Sequence, residues 1–236
     1  MSEATGVNDF IAIMRGRAAF YEFFSLSYRK PADEGFLGII KQFLPHFQAL
    51  AKEITIGEII TGAENLAEFV NEKVNKAEKP EETEDLLNLM NCCYTSLFLL
   101  GHSSVATSES VYLSPEKLLK QAPWEEVVKI YQQHQFVIPP SFKESEDHIS
   151  METLFMYFLA ENTAKAFESG DEERAETLVF AQKDFLYDHI LRWAPEFCDI
   201  VLSKNGKDTI FLDAATMLLK GFLIYDKDFL QELTAE

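Results

Sequence analysis

Apolar positions recur at helical spacing over most of the chain. Asn8 and Asp9 suit a cap, and Phe10, Ile13, Met14, Arg17, Phe20, Tyr21 and Phe24 then follow on one side of a helix that Pro31 ends. The thin polar face predicts burial on more than one side. A second helix is expected from about Asp33 to Leu50, interrupted or kinked near Pro45. A third covers roughly Gly57 to Lys76, with Ile59, Ile60, Ala63, Leu66 and Val70 inward. The charged segment 77–84 leads into a helix carrying Leu86, Leu87, Met90, Tyr94, Leu97 and Phe98, which Gly101 can close in a left-handed cap.

His102 to Glu109 is loop by composition. Short helices are expected after Pro115 and after Pro123, the latter with Trp124, Val127, Val128 and Tyr131. Ile138-Pro139-Pro140-Ser141 breaks the chain again. Helices starting near Asp147, running from about Asp171 to Arg192, following Pro195 and beginning near Asp208 complete the pattern. It contains no repeat and no convincing strand. The expected fold is all-α, a single domain over 1–236 with about ten helices and hinge or loop regions near 102–114 and 138–147.

Two junctions carry polar residues where apolar ones are the rule. In "ESEDHISMETLFMYFLAEN", residues 144–162, Met151, Leu154, Phe155, Phe158 and Leu159 form a stripe. Asp147 is placed to cap that helix, accepting from backbone N–H groups two or three residues on, and its charge suits the positive helix end. A cap does not account for Glu144 and His148 at the same place. On the later helix Ala175, Leu178, Val179, Gln182, Phe185, Leu186, His189, Ile190 and Trp193 share one stripe. A buried Gln182 or His189 must find a partner or cost roughly 1–3 kcal/mol. For His189 the plainer reading is a core histidine bonded to a carbonyl; the other is a helix that lines a pocket.

Composition narrows the function. The 236 residues carry 21 basic and 39 acidic side chains, a net charge of −18. That argues against nucleic acid, whose phosphates want Lys and Arg, and suits a basic partner or simply solubility. Cys92, Cys93 and Cys198 form no CxxC and no disulfide framework, as in a reduced cytoplasmic protein. MSEATGVNDF has no basic start followed by an apolar core, so no signal peptide is expected, and Tyr94 to Leu100 is far below the ~20 residues of a membrane span.

Four ordered patches resemble the redox enzyme maturation chaperones of the TorD/DmsD type, relatives of the nitrate reductase delta subunit. They are Arg17-x3-Tyr21 with Tyr28-x2-Pro31; Tyr94-x2-Leu97-Phe98-x2-Gly101 followed by Glu109-Ser110-Val111-Tyr112-Leu113; Glu144-x2-Asp147-His148 opening an apolar helix; and Phe185-Leu186-x2-His189-Ile190-x2-Trp193-x3-Phe197. Ser145 and Glu146 stand where the family usually shows proline, and Ala106-Thr107-Ser108 where it often shows proline and tryptophan. The resemblance implies an all-helical cytoplasmic protein without catalytic activity or cofactor. It would bind the twin-arginine signal peptide and folded precursor of a molybdenum-containing oxidoreductase until cofactor insertion, as a monomer or a homodimer. The implied peptide-binding residues are Glu144, Asp147 and His148 with Glu109, Ser110 and Tyr112, joined by His189 and Trp193. Such a peptide is basic, then apolar, and fits an acidic lip beside an apolar trough.

Other readings find less support. An assembly factor of the nitrate reductase delta type, acting on a membrane-anchored catalytic subunit, shares these signatures. A helical di-iron site wants Glu-x-x-His, and none of the five histidines has Glu three residues before it. His148 and Glu152 stand four apart and would share a helix face, but a pair makes no metal site. A metal hydrolase would want His-Asp, where Asp147-His148 and Asp188-His189 run in reverse. Gly206-Lys207 lacks the Gly and Ser/Thr of a P-loop, with Val201 and Asp208 in their places, and reads as a helix-ending turn.

Overall fold

The computed structural model describes residues 3–100, 104–204 and 210–235. Its helices are α1 (Glu3–Arg29), α2 (Glu34–Glu53), α3 (Gly57–Phe69), α4 (Pro80–Tyr94), α5 (Glu109–Leu113), α6 (Ala122–Gln133), α7 (Ile149–Glu168), α8 (Glu172–Phe185), α9 (Leu191–Ser203) and α10 (Ile210–Leu233). Three π turns, Val70–Val74, Thr95–Leu99 and Leu186–Ile190, extend α3 and α4 and join α8 to α9. Among the described residues there is no strand, only an isolated bridge between Ser108 and His148. The fold is all-α, and no described helix is long and apolar enough to cross a membrane.

Several boundaries depart from the sequence pattern. Asn8 and Asp9 lie inside α1, not at its start. Pro45 sits inside an unbroken α2, whose cap is Asp33, accepting from Phe36 N at 3.0 Å. No separate helix lies between Pro115 and the start of α6; α5 precedes Pro115, at and beyond the end of the stretch read as loop. Pro195 is internal to α9 because the π turn carries the helical run on from α8. Gly101 and the Gly206-Lys207 turn lie outside the described residues.

Contacts gather into two compact units. One comprises residues 26–107 and 194–225. Its core holds Phe36, Ile40, Phe47, Leu66, Phe197, Leu218 and Phe222, all buried. The Tyr28 hydroxyl and Thr216 Oγ1 share a hydrogen bond at 2.9 Å. In the same unit α3 and α10 cross at glycines. A Cβ on Gly62 would lie 2.8 Å from Leu218 Cγ, and one on Gly221 would lie 2.8 Å from Ile59 N. Only hydrogen at those positions permits the approach.

The other unit comprises residues 1–25, 108–193 and 226–236. Helices α7 and α8 pack together there. The α8 stripe from Ala175 to Trp193 is buried throughout, as its spacing predicts. On α7 the buried side is rotated from the expected stripe: Glu152, Met156, Ala160 and Thr163 are buried, and Leu154 and Phe158 are half-buried. Arg17 pairs with Asp226 at 2.5 Å and donates to Gln182 Oε1 at 2.7 Å; Tyr21 donates to Asp226 at 2.6 Å. Gln182 in turn donates to Thr163 Oγ1 at 2.8 Å. So the polar group on the α8 stripe has its partners. A ring cluster of Tyr131, Phe136, Phe155 and Phe185 lies between α6, α7 and α8.

Candidate functional site

The polar residues of the two junctions meet inside the 108–193 unit. The approach to α7 and the start of α5 lie side by side, with Glu109 N donating to Asp147 O at 3.0 Å. Asp147 does not cap α7. It is fully buried, and its carboxylate accepts from Ser110 N at 2.7 Å and from Ser145 Oγ at 2.5 Å. It therefore pins the α5 segment rather than its own helix. His148 is the cap, with extended backbone and Nδ1 accepting from Ser150 N at 3.1 Å. Burial pushes its pKa down to about 3, so the ring is neutral. With Nδ1 accepting, the proton sits on Nε2.

Glu109 is also fully buried, and His189 Nδ1 lies 3.1 Å from both of its carboxylate oxygens. The histidine partner is thus a carboxylate from α5, not a backbone carbonyl. His189 sits in the π turn and stacks on Phe185, ring centroids 4.9 Å apart. Such turns insert one extra residue into a helix and recur at functional sites. One turn later Trp193 Nε1 donates to Glu152 Oε2 at 3.0 Å, and the Tyr112 ring lies 5.2 Å from the Trp193 ring.

Seven of the eight residues expected at the site are therefore neighbours: Glu109, Ser110, Tyr112, Asp147, His148, His189 and Trp193. Glu144 is exposed, and no hydrogen bond or ion pair among the described residues joins it to them. The expected acidic lip at 144–148 is largely an interior polar cluster. The sequence reading missed Glu152, Tyr131, Ser145 and Glu146. Glu152 stood out only as a partner for His148 across one helical turn. In the structure its side chain turns to Trp193 and Glu109 instead. Burial, then the charges of Glu109 and Asp147, hold the Glu152 carboxyl well above the usual carboxylate range. The shift favours the protonated form of Glu152, whose carboxyl is within hydrogen-bond reach of Glu109. Among the described residues no group of three or more His, Cys, Asp and Glu is placed to hold a metal ion.

Beside this cluster an open groove of ≈ 530 Å³ runs between α6 and α8. Ile130, Ala181, Phe185 and the exposed Phe180 give it apolar lining, Asp184 and Asp188 stand exposed along it, and Gln133, His134, Thr177 and His189 complete it. Among the described residues no lysine or arginine lines it. The volume is within the roughly 300–1,000 Å³ of ordinary ligand clefts.

A family model described as nitrate reductase delta subunit matches residues 59–199. Curated relatives named Chaperone protein TorD are also similar to this chain. That of Aliivibrio fischeri is 27% identical over 180 residues, covering 73% of this chain and 81% of the relative. That of Photobacterium profundum is 31% identical over 138 residues, 58% of this chain and 62% of the relative. That of Vibrio atlanticus is 24% identical over 197 residues, 81% and 87%.

Proposed function

The chain belongs to the family of nitrate reductase delta subunits and TorD chaperones, a chaperone rather than an enzyme family, and from that premise we propose that it is a cytoplasmic chaperone for a molybdenum-containing oxidoreductase. It binds the client's twin-arginine signal peptide, holds the precursor while cofactor is inserted, and releases it for export. The observation that supports this reading is the α6–α8 groove. Its exposed carboxylates, Asp184 and Asp188, flank an apolar lining that includes Phe180. A peptide that is cationic and then apolar meets both kinds of surface there, and guanidinium pairs with carboxylate in a planar, two-bonded geometry. The net charge of −18 adds long-range attraction for a basic leader.

Capture followed by release asks for modest affinity, on the order of micromolar or about −8 kcal/mol. Calorimetric titration with a synthetic peptide holding two consecutive arginines before an apolar stretch tests the proposal. Binding near that level is expected, weakening about tenfold (roughly 1.4 kcal/mol) when both arginines become lysines. A peptide that fails to bind, or binds no better than its scrambled sequence, overturns it. The family model is described as nitrate reductase delta subunit, which suits a second reading as an assembly factor for a membrane-anchored molybdoenzyme; a chain that ignores export signals but captures a mature molybdoenzyme subunit would favour it.

A further inference from the structure

Helix α6 is lightly held. Of its 12 residues Val127 and Tyr131 are the buried ones. Residues in the left-handed region stand on both sides of it: Lys117 (φ 55) and Lys120 (φ 59) before, Gln135 (φ 54) after. Among the described residues these are the non-glycine positions with positive φ. Such a conformation is uncommon for side chains of this size and marks a local cost that the surroundings must hold in place. A hydrogen bond from Trp124 Nε1 to Glu146 Oε2, 2.6 Å, tethers the start of the helix.

What α6 covers is short of donors. Glu109, Asp147 and Glu152 are all fully buried. Apart from the Glu152 carboxyl itself, which reaches Glu109, their described donors are His189 Nδ1, Ser110 N, Ser145 Oγ and Trp193 Nε1. Not one of these belongs to a lysine or arginine. Among the described residues Glu152 Oε1 has no donor, and the Tyr131 hydroxyl, 2% exposed, has no partner. Burial first, and then the nearby carboxyl groups of Glu152, Asp147, Glu109 and Glu146, hold the Tyr131 hydroxyl well above its ordinary pKa. Carboxylate oxygens with room for donors ask for a cation carrying several N–H groups in one plane, which is a guanidinium and not an ammonium.

Taking the signal-peptide reading above as given, we propose that α6 is a lid, and that the buried carboxylates beneath it, Glu152 foremost, seat an arginine side chain of the incoming peptide when the lid lifts. The groove beside α6 then takes the apolar part of the same peptide. A guanidinium beside Glu152 favours its ionised form. The O–H bond of Glu152 breaks, its proton passes to buffer, and N–H···O bonds from the arginine replace it. Glu109, Asp147, Glu146, His148, His189 and Tyr131 are the other titratable groups facing this space.

The test is calorimetric titration of the full chain with the twin-arginine peptide at pH 7 in two buffers of different ionisation enthalpy, with hydrogen exchange followed over 122–133. Wild type is expected to release about one proton on binding. Its α6 amides are expected to exchange faster than those of α7 before peptide is added. Glu152→Gln is expected to keep the thermal midpoint within a few degrees, release no proton and bind about tenfold more weakly; Tyr131→Phe, which removes one hydroxyl from an intact core, also weakens binding. Tight binding by wild type without proton release, and unchanged in both variants, overturns the seat beneath α6, and Tyr131 then holds an ordered water only, while the signal-peptide reading stands. Protection of α6 equal to that of α7 overturns the lid. Absence of any binding by wild type overturns this proposal together with the reading it rests on.

Discussion

Asp147 separates two explanations of one residue by about a factor of two in free energy. A helix cap replaced by alanine costs about 0.5–2 kcal/mol. The observed Asp147 does something else: it holds Ser110 N and Ser145 Oγ, both buried, at 2.7 and 2.5 Å. Asp147→Ala removes two charge-assisted bonds of roughly 1.5–3 kcal/mol each and strands the Ser110 N–H, a penalty of about 1–3 kcal/mol. Against this, a buried charge is no longer paid for in desolvation, several kcal/mol in the other direction. The balance is a loss on the order of 2–4 kcal/mol. Asp147→Asn keeps an acceptor for Ser110 N and turns its amide N–H₂ to Ser145 Oγ, so it should cost only about 1 kcal/mol. Urea unfolding at pH 7 gives both numbers, and hydrogen exchange over 108–114 shows where the alanine variant loosens. If alanine and asparagine cost the same within about 0.5 kcal/mol, or residues 108–114 keep their protection in the alanine variant, the inter-segment role assigned to this carboxylate is refuted. The asparagine variant is also the right background for peptide binding, because it alters charge with little change in packing.

Other consequences follow from burial and close approach. His148 has a folded pKa of about 3 against an ordinary value of 6.5; the unfolded chain binds the proton first, so stability is full above pH 6.5 and falls as pH drops toward 3, by at most about 1.4 kcal/mol per pH unit. His148→Asn keeps a cap acceptor and should flatten that slope in urea midpoints measured from pH 7 to 4. Glu152 acts with the opposite sign: its folded pKa is raised, the unfolded chain loses the proton first, and stability falls as pH rises above about 4.5. Glu152→Gln should therefore gain relative to wild type between pH 5 and 8, and parallel curves would count against a protonated Glu152. Gly221→Ala drives a methyl to within 2.8 Å of Ile59 N and should cost about 1–3 kcal/mol in thermal unfolding; no loss would mean that α3 and α10 part more easily than their packing implies. Asp226→Ala leaves Arg17 buried without its carboxylate and removes the acceptor of Tyr21; about 3–5 kcal/mol of destabilisation is expected, and under 1 kcal/mol would contradict the pairing.

Local spacing alone determined that this chain is helical and which face of α8 is buried. Ala175 through Trp193 recur at helical intervals, and a helix fixes the direction of each side chain from its own backbone. It likewise brought Gln182 and His189 inward and required partners for them, since a buried polar group left alone is costly. What it could not supply was the identity of those partners. Thr163 and Arg17 for Gln182, Glu109 for His189 and Trp193 for Glu152 lie 19 to 165 residues away, and periodicity has no term for residues that distant. The exchange of roles between Asp147 and His148 has the same origin. Either suits the start of α7 by type, and only the α5 backbone arriving beside them, with Ser110 N free to donate, draws the carboxylate away and leaves the cap to the imidazole. The unbroken helices at Pro45 and Pro195 have the same origin: a proline removes one helical hydrogen bond, and whether the helix survives depends on packing along its whole length. Pattern in the chain set the elements and their inward faces; the meeting of distant segments decided which charges were buried together, because burial is a property of the assembled core and not of any stretch of residues.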